Sequence, residues 1–308
     1  QEIEVWFREV NMMEWYFKMN IIPTVNSLSG GKTSSYMAVH YPADYNIFAL
    51  IRTNDKSCQY PDKKLRQVVS DKIGCEFMGT LEDDVIIHTM LDLEQFIGQE
   101  IIWVTGINYD ELVYTKNGKV NLPDAKQRSC TSTLKYIPIQ QYWYDNIKVP
   151  VEMRIGFRAN ETKRAKTILD KTNKDGFTES RIIVGQRETK VWKKKWQVMA
   201  WRKPVFPLID DNIYKDNIES YWSDKNIRFA YMNNCIGCFH RNPVLLKLMS
   251  DKFPDKFEWF NKAEKNALEY KNMTWKEGMT YEQIKNTYSQ RSLFDDDFDE
   301  CDSGHCGI

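Results

Sequence analysis

Two groups of residues have the types and spacing to do chemistry. The first is Ser29-Gly30-Gly31-Lys32-Thr33-Ser34, between the apolar run IIPTVNSL and the segment TSSYMAVHY. Paired glycines let a backbone approach an anion closely, and a helix that starts there offers N–H groups with no acceptor of their own. Ser29 and Ser34 add hydroxyl donors. Gly31-Lys32-Thr33 also matches the end of the longer Walker A loop, but that loop needs a glycine where Asn26 stands, so the shorter loop is the better reading. The second group is Cys235-Ile-Gly-Cys238, a turn that presents two thiols, with Cys130 far upstream as the natural third. Zinc and [4Fe–4S] sites take four ligands. The fourth is left open between His240, Cys301, Cys306 and no protein ligand. Cys58 and Cys75 lack metal spacing and are read as structural.

Cations lie near the ends of apolar segments. Arg128, Lys135, Arg158 and Arg164 form a candidate anion-binding set, since a phosphorylated or sulfonated ligand needs several such groups and arginine grips phosphate through two parallel hydrogen bonds. Glu161 is placed to orient one of these arginines or to hold a metal. Lys190, Lys193, Lys194, Lys195, Arg202 and Lys203 alternate with Trp192, Trp196 and Trp201. That pattern suits a nucleic-acid surface, and equally an amphipathic strand pair with aromatics inside and lysines outside.

The elements that must position these groups alternate. Strand-like IIPTVNSL is followed by the short helix TSSYMAVHY. Strand-like YNIFALIRT is followed by DKKLRQVVSDKIG, whose apolar residues have helical spacing and end at a glycine. QEIIWVTGI and VEMRIGFR are further strands. The expected fold is therefore α/β, a doubly wound, mostly parallel sheet with helices on both faces. From about Asp210 the pattern becomes helical around the cysteine turn, and the chain closes on the acidic SLFDDDFDECDSGHCGI, expected to be mobile. The organisation expected is an extension at 1–18, a nucleotide-binding domain at 19–230 and a cysteine-containing helical region at 231–308.

The chain has 308 residues, with 43 Lys+Arg against 43 Asp+Glu, so net charge argues for neither nucleic acid nor membrane. Mean hydropathy is −0.58. No apolar run approaches the ~20 residues of a spanning helix, and the first residues lack the apolar segment of a secretory signal. An odd number of cysteines, seven, argues against a disulfide framework. The expectation is a cytoplasmic protein that makes no membrane contact.

The pieces together resemble a known family. Ser29–Ser34 resembles the PP-loop of the adenine nucleotide alpha-hydrolase superfamily, with Thr33 where many members carry Asp. KQRSCTSTLKYIPI (126–139), IGFRANETKRA (155–165), PVFPLID (204–210) and NNCIGCFHRNP (233–243 region) resemble, in order, segments of the phosphoadenosine phosphosulfate (PAPS) reductase-like family over roughly residues 20–245. The resemblance implies a HUP-like fold and an adenine nucleotide, ATP or PAPS/APS, held by Ser29, Gly30, Gly31, Lys32, Thr33, Ser34, Arg128, Arg158, Glu161 and Arg164. It implies a [4Fe–4S] cluster or Zn²⁺ on Cys130, Cys235 and Cys238, although the family's cluster-bearing members have two adjacent cysteines where this chain has Ser129-Cys130. Mg²⁺ with the nucleotide is a further implication, weakened by Thr33.

Three activities are consistent with this resemblance. One is reduction of an adenylyl sulfate, with Cys306 as nucleophile, Lys135 as a second catalytic group and a thioredoxin-like reductant as partner. The tail His305-Cys306-Gly307-Ile308 resembles the family's mobile nucleophile segment, and its alternative use is as a structural half-site. The second activity is ATP-driven sulfur transfer to nucleic acid. The third is a nucleotide-binding regulator without chemistry.

Overall fold

The computed structural model describes residues 22–115, 117–124, 128–187 and 193–287. The expected extension at 1–18, Lys190, Trp192, Cys301, His305 and Cys306 lie outside the described residues.

Six strands form one sheet: β1 (Thr24–Leu28), β2 (Tyr45–Ala49), β3 (Ile101–Val104), β4 (Val151–Arg154), β5 (Thr178–Arg187) and β6 (Lys193–Val205), in the order β3-β2-β1-β4-β6-β5. Every neighbouring pair is parallel except β5 and β6. The fold is thus α/β with a mostly parallel sheet, as expected. Buried strands with apolar residues at successive positions serve two cores at once. In β2, Ile47 and Ala49 belong to one cluster and Phe48 to another.

The first cluster is closed by Ile139, Trp143 and Ile147 of the helical run 129–147 and by Ala165 of the helix Thr162–Leu169. The second is closed by Ile86, Ile87, Met90 and Leu93 of the helix Val85–Ile97, by Ala38 of the helix Lys32–His40, and by Ile218 and Trp222 of the helix Lys215–Trp222. One polar group is tolerated at the sheet centre because it is paired: fully buried Asn26 donates to the Tyr41 carbonyl (2.9 Å) and to Asn46 Oδ1 (3.0 Å), and Asn46 donates on to Gln99 (2.9 Å).

A third cluster lies beyond the sheet. Phe257, Trp259 and Phe260 of the helix Pro254–Lys271, Tyr281 of the helix Tyr281–Asn286, and Trp275 pack with Ile51, Leu81, Tyr109, Val113 and Leu134. The boundary expected at 230/231 is therefore crossed by one continuous hydrophobic core. Each buried aromatic or aliphatic side chain contributes roughly 1.5–3 kcal/mol, so the C-terminal helices are bound to the sheet's loops by a large apolar contact. Among the described residues no helix is long and apolar enough to cross a membrane.

In strand order the chain leaves β1 in one direction to reach β2 and β3, and in the other to reach β4. The loops after β1 and β4 therefore part at the sheet's carboxyl edge, where open α/β sheets form a ligand crevice. Both predicted nucleotide segments, 29–34 and 155–165, are there.

Candidate nucleotide site and cysteine cavity

The 29–34 loop is built by its own side chains. Gly30 has φ +81°, a conformation that glycine adopts without strain. Ser34 Oγ accepts from the Ser29 N–H (3.1 Å), lies 3.1 Å from Ser29 Oγ and donates to the Gly31 carbonyl (3.2 Å). These hydroxyls close the loop rather than point outward as spare donors. The helix Lys32–His40 starts at once, with Gly31 as a cap that offers no side chain, so its first N–H groups face outward. The segment after β4 runs alongside: a Cβ on Gly156 would lie 3.4 Å from Ser34 Cα and 3.6 Å from Thr33 Cγ2. Lys32 turns away from the loop and forms an ion pair with Glu219.

Three of the four predicted cations converge. Glu161, buried, accepts from the Arg158 N–H (2.8 Å), from Arg158 Nε (3.3 Å) and from Arg164. Of the two roles open to Glu161, the geometry is that of an arginine orienter. Arg164 also lies over the Phe157 ring, 4.0 Å from its centroid. Burial pulls the Arg164 guanidinium below its ordinary value; Glu161 opposes this, and the charges of Arg128 and Arg158 add to the lowering. The charges of both other arginines thus reach Arg164, which shares the Glu161 carboxylate with Arg158. Arg128 Nε and Nη2 are buried and, among the described residues, have no hydrogen-bond partner. Buried guanidinium donors in that state call for an anion.

The fourth cation, Lys135, is elsewhere. It is buried and donates to Glu82 (3.0 Å), itself almost fully buried. Its charge is thus balanced from within the protein, which separates it from the arginine set.

Lys135 faces a small cavity of about 20 Å³ together with Cys130, Cys235, Cys238, His240 and Tyr109. The two cysteine segments, distant in sequence, both line it. Burial holds the Tyr109 phenol well above its ordinary range, and the thiols of Cys130, Cys235 and Cys238 push it the same way. The cysteine turn is gripped on all sides. Cys238 N–H donates to the Cys235 carbonyl (3.1 Å), and Ile236 N–H to the Leu81 carbonyl (2.8 Å). Tyr281 donates to the Gly237 carbonyl (3.0 Å), and Lys276 to the Arg241 carbonyl (3.1 Å). A Cβ on Gly237 would fall 2.3 Å from the Phe260 ring, so the turn needs glycine for close packing. Arg241, fully buried, donates to the carbonyls of Asn233 (2.7 Å), Asn234 (3.3 Å) and Cys235 (3.2 Å).

The cavity adjoins the nucleotide loop. A Cβ on Gly31 would lie 2.3 Å from Asn233 Nδ2, so Asn233, two residues before Cys235, rests on Gly31. The absence of a side chain at Gly31 is used for this contact within the protein. A larger residue there would first displace the Asn233 amide end.

Three thiols and an imidazole on one cavity are the donor chemistry of a thiophilic metal or cluster. Yet among the described residues no three His, Cys, Asp or Glu side chains are placed to hold a single ion. The donor set fits by type, and side-chain movement would be needed to bring it onto one ion.

Cys58 is separate from this cavity, under the helix Pro254–Lys271, where burial pushes its thiol up to about 11. Its structural reading holds. Near pH 8, roughly the unperturbed thiol pKa, native Cys58 is expected to resist iodoacetamide while half-buried Cys75 reacts. Peptide mass spectrometry checks this, and equal labelling rates would refute it.

Sequence reasoning missed Glu82, Asn233, Arg241 and Tyr281. Asn233 and Arg241 lie within the cysteine segment quoted above but were not singled out, and Glu82, Asn233 and Tyr281 act through partners distant in the chain. The one readable signal was Arg241, a cation directly beside the cysteine turn. Comparison of the chain with protein-family models, with curated proteins and with solved structures returned no match.

Proposed function

We propose that this chain is an adenine-nucleotide-binding enzyme of the PAPS reductase-like kind, on a doubly wound PP-loop sheet, that handles sulfur at the thiol cavity. The observation that carries the reading is the adjacency: Asn233 rests on Gly31, and two residues later Cys235 opens the cavity shared with Cys130, Cys238 and Lys135. The loop's N–H groups and Arg128, Arg158 and Arg164 bind phosphate and sulfate. In the reductase reaction the Cys306 thiolate attacks the sulfur of an adenylyl sulfate. The sulfur–oxygen bond breaks, and the nucleotide leaves with the electron pair. A thioredoxin-like dithiol then attacks the Cys306 sulfur, sulfite departs, and the dithiol is oxidised to a disulfide.

A second reading, sulfur transfer to nucleic acid, is favoured by the presence of several thiols on one cavity. An acceptor oxygen displaces pyrophosphate from ATP, giving an adenylate. A cavity thiol, charged by a persulfide donor, delivers its terminal sulfur as AMP leaves. A second cavity thiol closes a disulfide on the first and frees the product, and a dithiol resets the pair. Cys130, Cys235 and Cys238, with His240, are the residues that would hold Zn²⁺ or a [4Fe–4S] cluster, which would supply a Lewis-acidic anchor for sulfur.

The test begins with anaerobically purified full chain, its visible spectrum, and its iron, zinc and acid-labile sulfide contents. PAPS or APS with a dithiol is then assayed for sulfite, and ATP with nucleic acid and a persulfide for pyrophosphate. Sulfite supports the first reaction and pyrophosphate the second. Nucleotide binding without either leaves a regulator, and no nucleotide binding overturns the reading. By calorimetry, Arg128→Ala is expected to weaken nucleotide binding by about 1–3 kcal/mol, the scale of lost charge-assisted bonds; unchanged affinity would remove Arg128 from the site.

A further inference from the structure

The strand pair β5–β6 is left unused by the nucleotide site and the thiol cavity. Its sequence, 178–205, holds eight Lys and Arg against two Glu, in a chain whose total charge is zero. The base of the pair is core: Trp201 is fully buried, and the Arg202 guanidinium lies over the Trp201 and Tyr136 rings (4.8 and 5.1 Å). Arg202, also buried, departs from the amphipathic reading of the sequence; for Trp201 that reading holds. Further along the strands it does not. Trp196 is 45% exposed and Val198 58%. In the antiparallel register Arg181 is opposite Val198, and Ile183 is opposite Trp196, which puts all four on one face. The Arg181 guanidinium lies 5.6 Å from the Trp196 ring centroid.

The geometry points to this face as a docking surface for single-stranded nucleic acid. An indole held beside a guanidinium is a platform on which a base can stack, and only an unpaired strand exposes a base face to it. Arg181 on this face, and exposed Lys195 next to Trp196 on the ribbon's other face, match a phosphate backbone in sign. An apolar partner surface would gain nothing from that charge. β5 is the outer strand of the sheet, bonded only to β6, so an extended strand can lie along the ribbon without meeting a neighbouring element of the sheet. What the strand is bound for rests on the sulfur-transfer reading; that it is bound rests on the ribbon alone.

The experiment uses the full chain and a fluorescein-labelled oligouridylate of about 15 nucleotides, near the upper site size of single-strand binders. Anisotropy is read as salt rises from about 50 to about 200 mM. Saturable binding that weakens steeply with salt is expected. Trp196→Ala is expected to lose about ten-fold in affinity with the salt slope retained, and Trp196→Phe to keep most of the binding. Arg181→Gln combined with Lys195→Gln is expected to flatten the slope. The proposal is overturned if the wild type does not bind, if the variants bind as the wild type does, or if a duplex binds equally well. It is also overturned if sedimentation shows a dimer that Trp196→Ala dissociates, since the face is then covered by a second copy. ATP titration of the same variants reads the 29–34 loop separately, so a failure there is distinguishable from a failure of the ribbon.

Discussion

Glu161→Gln is expected to destabilise the protein by about 3–5 kcal/mol, the cost of removing one partner from a buried ion pair, and to make the remaining stability depend on anions. Glu161 is the carboxylate shared by Arg158 and Arg164, and Arg128 acts on the same group of charges. Glutamine keeps the shape and one acceptor but leaves three guanidinium groups facing one another. Sulfate, pyrophosphate or ATP should then restore stability more strongly than in the wild type, because a bound anion takes over the missing charge. Urea unfolding with and without each anion measures this. A loss below about 1 kcal/mol, the range of exposed pairs, or an indifference to sulfate, would mean that the arginines do not form one anion site.

The second large effect concerns Arg241. Arg241→Met removes the donor of three backbone carbonyls around the cysteine turn. Leaving buried acceptors unpaired costs about 1–3 kcal/mol each. Some of this is offset because a buried charge is removed as well. A net loss of about 3 kcal/mol is expected, concentrated on residues 233–241. The local character is the informative part: Cys235 and Cys238 should become reactive to a thiol reagent well before the sheet unfolds, while Cys58 stays protected. If both cysteines label at the wild-type rate, the turn is held by Tyr281, Lys276 and Leu81 without Arg241.

The sheet was largely legible because its evidence is local. TVNSL, YNIFA, IIWV and VEMR are short apolar runs separated by helical periodicity and turns, and each became a parallel strand. The Gly loop was legible for the same reason. The arginines could be named but not sorted: nothing in the sequence says that Arg158 and Arg164 share Glu161, with Arg128 close enough for its charge to act on Arg164, while Lys135 turns to Glu82, since that depends on which loops the sheet brings together. The C-terminal helices were read as a region of their own. Their lysines and glutamates dominate the composition, yet Phe257, Trp259, Phe260, Trp275 and Tyr281 all face one core. That core is built with residues as early as Ile51, and no local period reports a partner so far away. The cavity could be anticipated only as a meeting of Cys130 with the Cys-x-x-Cys turn.

The grip on the cysteine turn has a consequence for the order of synthesis. A ribosome that has translated as far as Asn242 has already made Cys130, Cys235 and Cys238, but not Phe260, Lys276 or Tyr281, which hold the turn in place. At roughly 5–20 residues per second, Cys235 and Cys238 spend a few seconds, and Cys130 roughly 8–30 s, on an unfinished chain with no wall around them. The thiols are therefore among the last groups of the described chain to be enclosed. An oxidant or a stray metal present during translation would reach them before the finished protein could exclude it.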